Sequence, residues 1–278
     1  MEITFLGTAA FEGYPNPFCD GKHCSFAIRS DNLDKRLRSA AIIDNKILID
    51  FGPDIVASCQ KLGLSLSEVE LLLITHSHED HLYIPNFAMR QRTFNENFDG
   101  LKYMKVMASA EVINLISDSE YSVDAKILLN PSEPFNTYKF LEYEIIPVPA
   151  NHYVKEKERG LLYFIKKGDK TIFYATDTGA FDEVYVETLV RNTSLNNIDL
   201  LILDATLGFS RSNYTGHNTF ESFLGTVSNL RKVGLLSETS KIIAHHFSHH
   251  DNPNFHKLRE LYFEKGILVS YDGLKLNV

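Results

Sequence analysis

The 278-residue chain has no apolar run approaching membrane-spanning length, no internal repeat, no low-complexity tract and no linker-like segment. A helical bilayer crossing needs about 20 consecutive apolar residues, so no such span is expected, and a single domain over residues 1–278 is the simplest organisation. Cysteine is scarce. Three residues, an odd number, do not make a disulfide framework and fit a reducing compartment. Positive charge is also in deficit: 28 basic against 36 acidic residues leave a formal charge of −8, which argues against bulk nucleic-acid binding. A small phosphorylated substrate stays open, because bound divalent cations invert the field locally. The opening stretch MEITFLGTAA enters a strand pattern with no basic n-region or cleavage site, so the cytoplasm is the expected location.

What the chain does have is concentrated in Leu71 to His81, LLLITHSHEDH. Four apolar residues and Thr75 read as a buried strand running into a loop that carries His76, His78, Asp80 and His81. Two histidines two residues apart project the same way from an extended segment, while Asp80 and His81 face a neighbouring point. Imidazole and carboxylate suit a borderline divalent metal, and the spacing suits two metals sharing one pocket. Around this stretch the patterns predict strands over Glu2 to Gly7, Ser25 to Arg29, Ser39 to Ile43 and Lys46 to Asp50, with Asp31 to Arg38 a charged solvated connection. Asp44-Asn45 reads as a hairpin turn, and a helix is expected from Phe51-Gly52-Pro53 to Leu62, stopped by Gly63. Downstream, helices are expected over Pro85 to Arg92, Ala110 to Asp118, Phe181 to Arg191, Thr219 to Lys232 and Asn254 to Glu264. Between them lie strands at Tyr103 to Ala108, Lys126 to Leu129, Phe140 to Pro149, Leu161 to Lys166, Thr171 to Thr176, Asp199 to Ala205 and Lys241 to His245.

If one loop feeds two metals, further ligands must come from other strand ends. His152, Asp177 and His246 each sit just beyond an apolar run. Asp177, in TDTG, reads equally as a turn residue capping the next helix. His245 and His246 are adjacent, and strand alternation admits only one of them to a pocket.

The H-x-H-x-D-H stretch and these three positions resemble the pattern of the metallo-β-lactamase superfamily. That resemblance implies an α/β (α+β) fold, a four-layer αββα sandwich of two mixed sheets. It implies one metal on His76, His78 and His152, a second on Asp80, His81 and His246, and Asp177 shared. The loop FEGYPNPFCDGKHC further resembles the carbon–phosphorus lyase accessory phosphodiesterases and the pyrroloquinoline quinone biosynthesis protein B family. In the former, a structural zinc is held by a C-x-C-x-x-C run and a later histidine. Cys19, Cys24 and His249 match the outer cysteines and that histidine, whereas Gly21 replaces the middle cysteine. His23 or Asp20 would then have to complete a tetrahedral site, and two ordinary reduced thiols are the alternative. His217, ahead of a helix, matches a leaving-group acid of related phosphodiesterases. Asp50 and Asp272 read as acceptors that orient ligand imidazoles, or equally as turn or capping residues.

The implied activity is hydrolysis of a small phosphodiester, a cyclic nucleotide or cyclic ribose phosphate, by hydroxide held between two divalent ions, zinc or manganese, with Asp80 and His217 catalytic. An endoribonuclease like tRNase Z, a thioester hydrolase of the glyoxalase type and a quinone-biosynthesis-type accessory metal protein are the competing readings. The expected partner is the small-molecule diester, with no membrane and, as an open matter, a second copy of the chain.

Overall fold

Period-2 alternation in nearly all-apolar strands builds the molecule, because a strand covered on both faces must be hydrophobic on both. The computed structural model describes residues 1–30 and 32–278. Its first sheet begins with β1 (Glu2–Gly7), β2 (Ala40–Ile43) and β3 (Ile47–Ile49), paired antiparallel, and continues in parallel through β4 (Leu71–Leu73), β5 (Met104–Ala108) and β6 (Ile127–Pro131). Helices α1 (Lys22–Arg29), α2 (Ile55–Leu62) and α3 (Ala110–Ser117) belong to this half. The second half supplies β7 (Tyr138–Phe140), β8 (Tyr143–Lys155), β9 (Glu158–Lys167), β10 (Lys170–Ala175), β11 (Leu200–Asp204), β12 (Lys241–His245) and β13 (Leu268–Val269), with α4 (Glu183–Asn192), α5 (Phe220–Lys232) and α6 (Phe255–Phe263). The last strand, β14 (Lys275–Asn277), crosses back to pair with β1, so each sheet has seven strands.

Alternate residues sort into three apolar interfaces. Ile47, Ile49, Leu71 and Leu73 meet Ile145, Tyr163, Ile172 and Ile202 between the sheets. Leu48 and Leu72 point the other way, into the layer holding Ile55, Val112 and Ile116. On the far side Phe164, Phe173, Leu201 and Leu203 pack against Val186, Leu189, Phe223 and Leu230. Three interfaces make four layers, the αββα sandwich. Each fully buried aliphatic side chain stabilises by about 1.5–3 kcal/mol relative to exposure, which holds the strand ends rigidly where the site requires them. Among the described residues no helix is long and apolar enough to cross a membrane.

Local differences from expectation have physical causes. Ser25 to Arg29 is helical: Cys24 and Ala27, three apart, bury one face of α1 against Ala9 and Tyr14, a pattern that five residues cannot distinguish from alternation. Of the Asp31 to Arg38 connection, Asp31 lies outside the described residues, and Asp34 and Arg36 are buried rather than solvated. Arg36 donates to Thr8 Oγ1 and Ser270 O, and its guanidinium lies 4.6 Å from the Phe247 ring centroid. The Pro85 to Arg92 helix is a 3₁₀ helix over Ile84–Arg90. The Phe140 to Pro149 strand is divided at Leu141, which takes φ 49°, and β8 then runs on to Lys155. Leucine carries no sequence signal for a left-handed turn.

Candidate metal centre

Parallel strands from both sheets end on one edge, and the ligand-type side chains stand at those ends. Asp50 follows β3, the Thr75–His81 loop follows β4, Asp177 follows β10, Asp204 closes β11 and His246 follows β12. Asp50, Asp177 and His246 all adopt left-handed backbone, φ 64°, 52° and 64°. For non-glycine residues that conformation is uncommon and costs energy; Asp177 and His246 border the cleft, whereas Asp50 is buried behind it against His81 and Thr75. His245 instead keeps the strand direction and is fully buried, its Nε2 2.9 Å from Ser39 Oγ and its Nδ1 2.9 Å from Ser270 Oγ. Gly52 is needed here because a Cβ would overlap the Asp80 carbonyl.

The donors converge in two groups. His76 Nε2 lies 2.9 Å and His152 Nε2 3.3 Å from His78 Nδ1. Asp177 Oδ2 lies 3.0 Å from both His81 Nε2 and His246 Nε2, and Asp80 Oδ2 is 3.1 Å from His81 Nε2. Asp177 Oδ1 faces the first group, 4.0 Å from His152 Nε2. The structure therefore brings together all seven sequence-selected residues, and five of them, His78, Asp80, His152, Asp177 and His246, border a cavity of about 420 Å³ that also meets His217 and Glu12, with His76 and His81 buried behind.

These residues fit a divalent metal. His81 Nε2, His246 Nε2 and Asp177 Oδ2 are buried with no hydrogen-bond partner, although each Nε2 stands 3.0 Å from Asp177 Oδ2. Buried polar atoms are normally satisfied, and donor atoms aimed at one common point without hydrogen-bond geometry are satisfied by a cation. The opposite imidazole nitrogens are already engaged. His81 Nδ1 is 2.7 Å from Asp50 Oδ2, His76 Nδ1 3.0 Å from Thr75 Oγ1, His152 Nδ1 3.1 Å from Gly216 O and His246 Nδ1 2.8 Å from Thr206 Oγ1. Such contacts fix each ring and direct Nε2 inward.

Electrostatics agree. Burial and the nearby His81 charge hold His76 well below the ordinary histidine pKa, and burial lowers His152, so both offer lone pairs. Burial opposes charge on His246 too, but Asp177 outweighs it and raises the pKa to about 10. Carboxylates thus demand positive charge at this point, as protons or as metal, and metal affinity is expected to fall as the pH falls. Asp50 also accepts from Thr75 N and Oγ1. An Asp50→Asn variant is expected to lose about 10–100-fold in metal affinity, measured by competition with a chromogenic chelator.

A second group lies behind the first. Donor atoms of Cys19, Cys24 and His249 fall within 4.8 Å of one another. Glu12 Oε1 stands 2.8 Å from His249 Nδ1 and accepts from Ser248 Oγ, leaving Nε2 as the free ring nitrogen. A Cβ on Gly21 would sit 3.3 Å from Cys19 Sγ, so this position faces the thiol pair. The Asp272 expectation is corrected: its carboxylate accepts from Thr8 Oγ1, Leu37 N and Lys61 Nζ, not from a ligand imidazole. The cap of α4 is Asp182, which leaves Asp177 without a capping role.

Three contributors escaped sequence reasoning. Asp204 Oδ2 is 2.9 Å from His217 Nδ1, Glu12 holds His249, and Glu158 accepts from Ser77 N at 2.7 Å and Ser77 Oγ at 2.6 Å, clamping the metal loop between two of its histidines. Asp204 closes an apolar strand just as Asp50 does, a signal that was available. Glu12 and Glu158 offered none.

The fold matches solved structures along its whole length. A diphosphatase of the PhnP family is 23% identical with TM-score 0.73, covering 100% of this chain and 97% of its own. Zinc-bound PqqB from Methylobacterium extorquens is 15% identical with TM-score 0.78 and 100% of both chains covered. The short form of human tRNase Z is 16% identical with TM-score 0.66, at 100% and 99%. No curated protein matches the sequence. The family model described as beta-lactamase superfamily domain matches residues 45–247, a span that begins before Asp50 and ends after His246, and the chain belongs to that superfamily.

Proposed function

We propose that this metal-dependent hydrolase cleaves a small phosphodiester, a cyclic nucleotide or cyclic ribose phosphate, with two divalent cations, zinc or manganese, in the His/Asp pocket. The observation that carries the reading is the position of Asp177 between the His76–His78–His152 group and the Asp80–His81–His246 group. A carboxylate so placed would be able to serve two neighbouring ions. When bound, such ions polarise phosphoryl oxygens and bring the pKa of water near neutrality.

The chain's own residues do the rest. Asp80, at the pocket wall, orients the attacking water while holding His81 and His246 in register. His217 lines the same cavity, and Asp204 engages its Nδ1, so Nε2 is the nitrogen that delivers a proton to the departing oxygen. Burial alone would discharge this imidazole, but Asp204 reverses the balance and raises its pKa above the ordinary value. The acid form therefore persists to higher pH.

We place a further, structural zinc on Cys19, Cys24 and His249, with His23 or Asp20 available for the fourth position. Elemental analysis of the purified chain is expected to give close to three metals, and Cys24→Ser to remove one while leaving the hydrolytic pair. Two remaining in the parent would place Cys19 and Cys24 among ordinary thiols.

The deciding assay is metal loading followed by hydrolysis of bis(p-nitrophenyl) phosphate and a panel of cyclic phosphates. A loaded protein inert to every diester would transfer the site to the accessory-protein reading, and cleavage of precursor transfer RNA or of thioesters would move it to the other competing classes.

A further inference from the structure

Beyond His217, away from the Asp177 pocket, lies a second and larger cleft of about 800 Å³. His217 and Tyr214 border both spaces, so the two adjoin at these side chains. Nothing in the hydrolytic chemistry uses this cleft, yet its volume falls in the range that encloses a whole organic ligand.

Its lining is specific in what it omits. Among the described residues no lysine or arginine contributes, and Asp182 is the one carboxylate. Arg159, cross-strand partner of Tyr153, is outside the lining. Apart from His217, which serves the departing oxygen, a phosphorylated or otherwise anionic group would find no counter-charge here. Instead the walls carry two tyrosines, Tyr153 at 71% and Tyr214 at 50% exposure, whose hydroxyls make no hydrogen bond among the described residues. They also carry two carboxamides. Asn151 is fixed by its donation to Ala180 O and keeps its carbonyl oxygen for a ligand, and Asn213 has both amide functions unengaged. Exposed aromatic faces with paired donor and acceptor groups are what stack and edge-bind a planar heterocycle.

We propose that this cleft lies on the leaving-oxygen side and takes the uncharged nucleoside part of a cyclic nucleotide, base against Tyr153 and Tyr214. The sugar oxygen that parts from phosphorus lies toward His217, and the nucleoside is still held to the phosphate through its other ester oxygen. Position supports the assignment. His217 protonates the departing oxygen, so whatever that oxygen carries lies on the His217 side, where the cleft is. The inference rests on the phosphodiesterase reading and narrows it: of the two substrate types, the cyclic nucleotide carries a base for the tyrosines and fits, and the cyclic ribose phosphate, which carries none, does not.

The test is calorimetric titration of the full chain with adenosine and, separately, with ribose 5-phosphate. Adenosine is expected to bind, Tyr153→Ala to weaken it about tenfold, in line with the loss of one stacked base, and Tyr103→Ala, an exposed tyrosine outside the lining, to leave it unchanged. Tighter binding of ribose 5-phosphate, no adenosine binding, or an affinity untouched by Tyr153→Ala would overturn the proposal. Because the titration needs no turnover, adenosine binding by a protein that hydrolyses no diester would sink the hydrolytic reading and leave the nucleoside cleft standing. Diester hydrolysis without adenosine binding would do the reverse.

Discussion

Replacing Asp177 with asparagine is expected to lower hydrolysis of bis(p-nitrophenyl) phosphate by about 10³-fold or more, beyond the roughly 100-fold that follows loss of a residue that only orients a ligand. Its two oxygens address both donor groups, and His81 and His246 approach the same oxygen at 3.0 Å. An amide would supply one neutral acceptor in place of the anion proposed to serve two ions, so both would lose affinity together. Metal content measured on the folded variant, checked by circular dichroism, is expected to fall by more than one equivalent. The thermal shift that metal gives the parent, about 2.7 kcal/mol per site at a hundredfold excess over Kd, is expected to shrink with it. A variant that kept full metal content and lost only turnover would show that Asp177 is not shared, and the two-ion arrangement would have to be abandoned.

The features legible in the sequence were those that chemistry forces into the chain. A strand covered on both faces must be apolar throughout, so LLLIT, the Ile172–Ala175 segment and the Leu200–Leu203 segment could be read as buried strands, and ligand-type residues just beyond them as a shared edge. The hairpin at Asp44-Asn45 was legible because both residues tolerate the left-handed backbone they adopt, φ 49° and 54°. Leu141 adopts the same backbone with no such preference, and the strand boundary there was lost. Helix α1 failed for the related reason that eight residues, packed through Cys24 and Ala27 alone, do not establish a period.

At the site, loops and termini of distant elements contribute what adjacency cannot announce. Glu158 stands at the tip of the β8–β9 hairpin, in the other sheet from the loop it clamps, and meets Ser77 81 residues away in sequence. Glu12 reaches His249 over 237 residues. Separation of His245 from His246 was expected from strand alternation, but the physical agent is different. The strand ends at His245, and the left-handed backbone of His246 turns its imidazole toward Asp177 while His245 stays with Ser39 and Ser270.

His217 offers the second large effect, and its diagnostic is the dependence on leaving group. An acid matters in proportion to the basicity of the oxygen it protonates: an alkoxide leaves poorly unless protonated, whereas p-nitrophenolate leaves well by itself. His217→Ala is therefore expected to lose about 10²–10⁴-fold in kcat on a nucleoside cyclic phosphate and far less on bis(p-nitrophenyl) phosphate, with metal content unchanged. Equal losses on both substrates would make His217 a structural residue of the cavity wall instead of a proton donor. Asp204→Asn separates the same two roles by pH. The carboxylate raises the His217 pKa against an opposing burial effect, so its loss leaves burial in control and the pKa falls. Activity that requires the protonated imidazole is then lost at lower pH than in the parent, and the alkaline limb of the kcat profile moves toward acid. A limb that stayed in place would assign that ionisation to another group, because among the described residues Asp204 is the carboxylate in hydrogen-bond contact with His217.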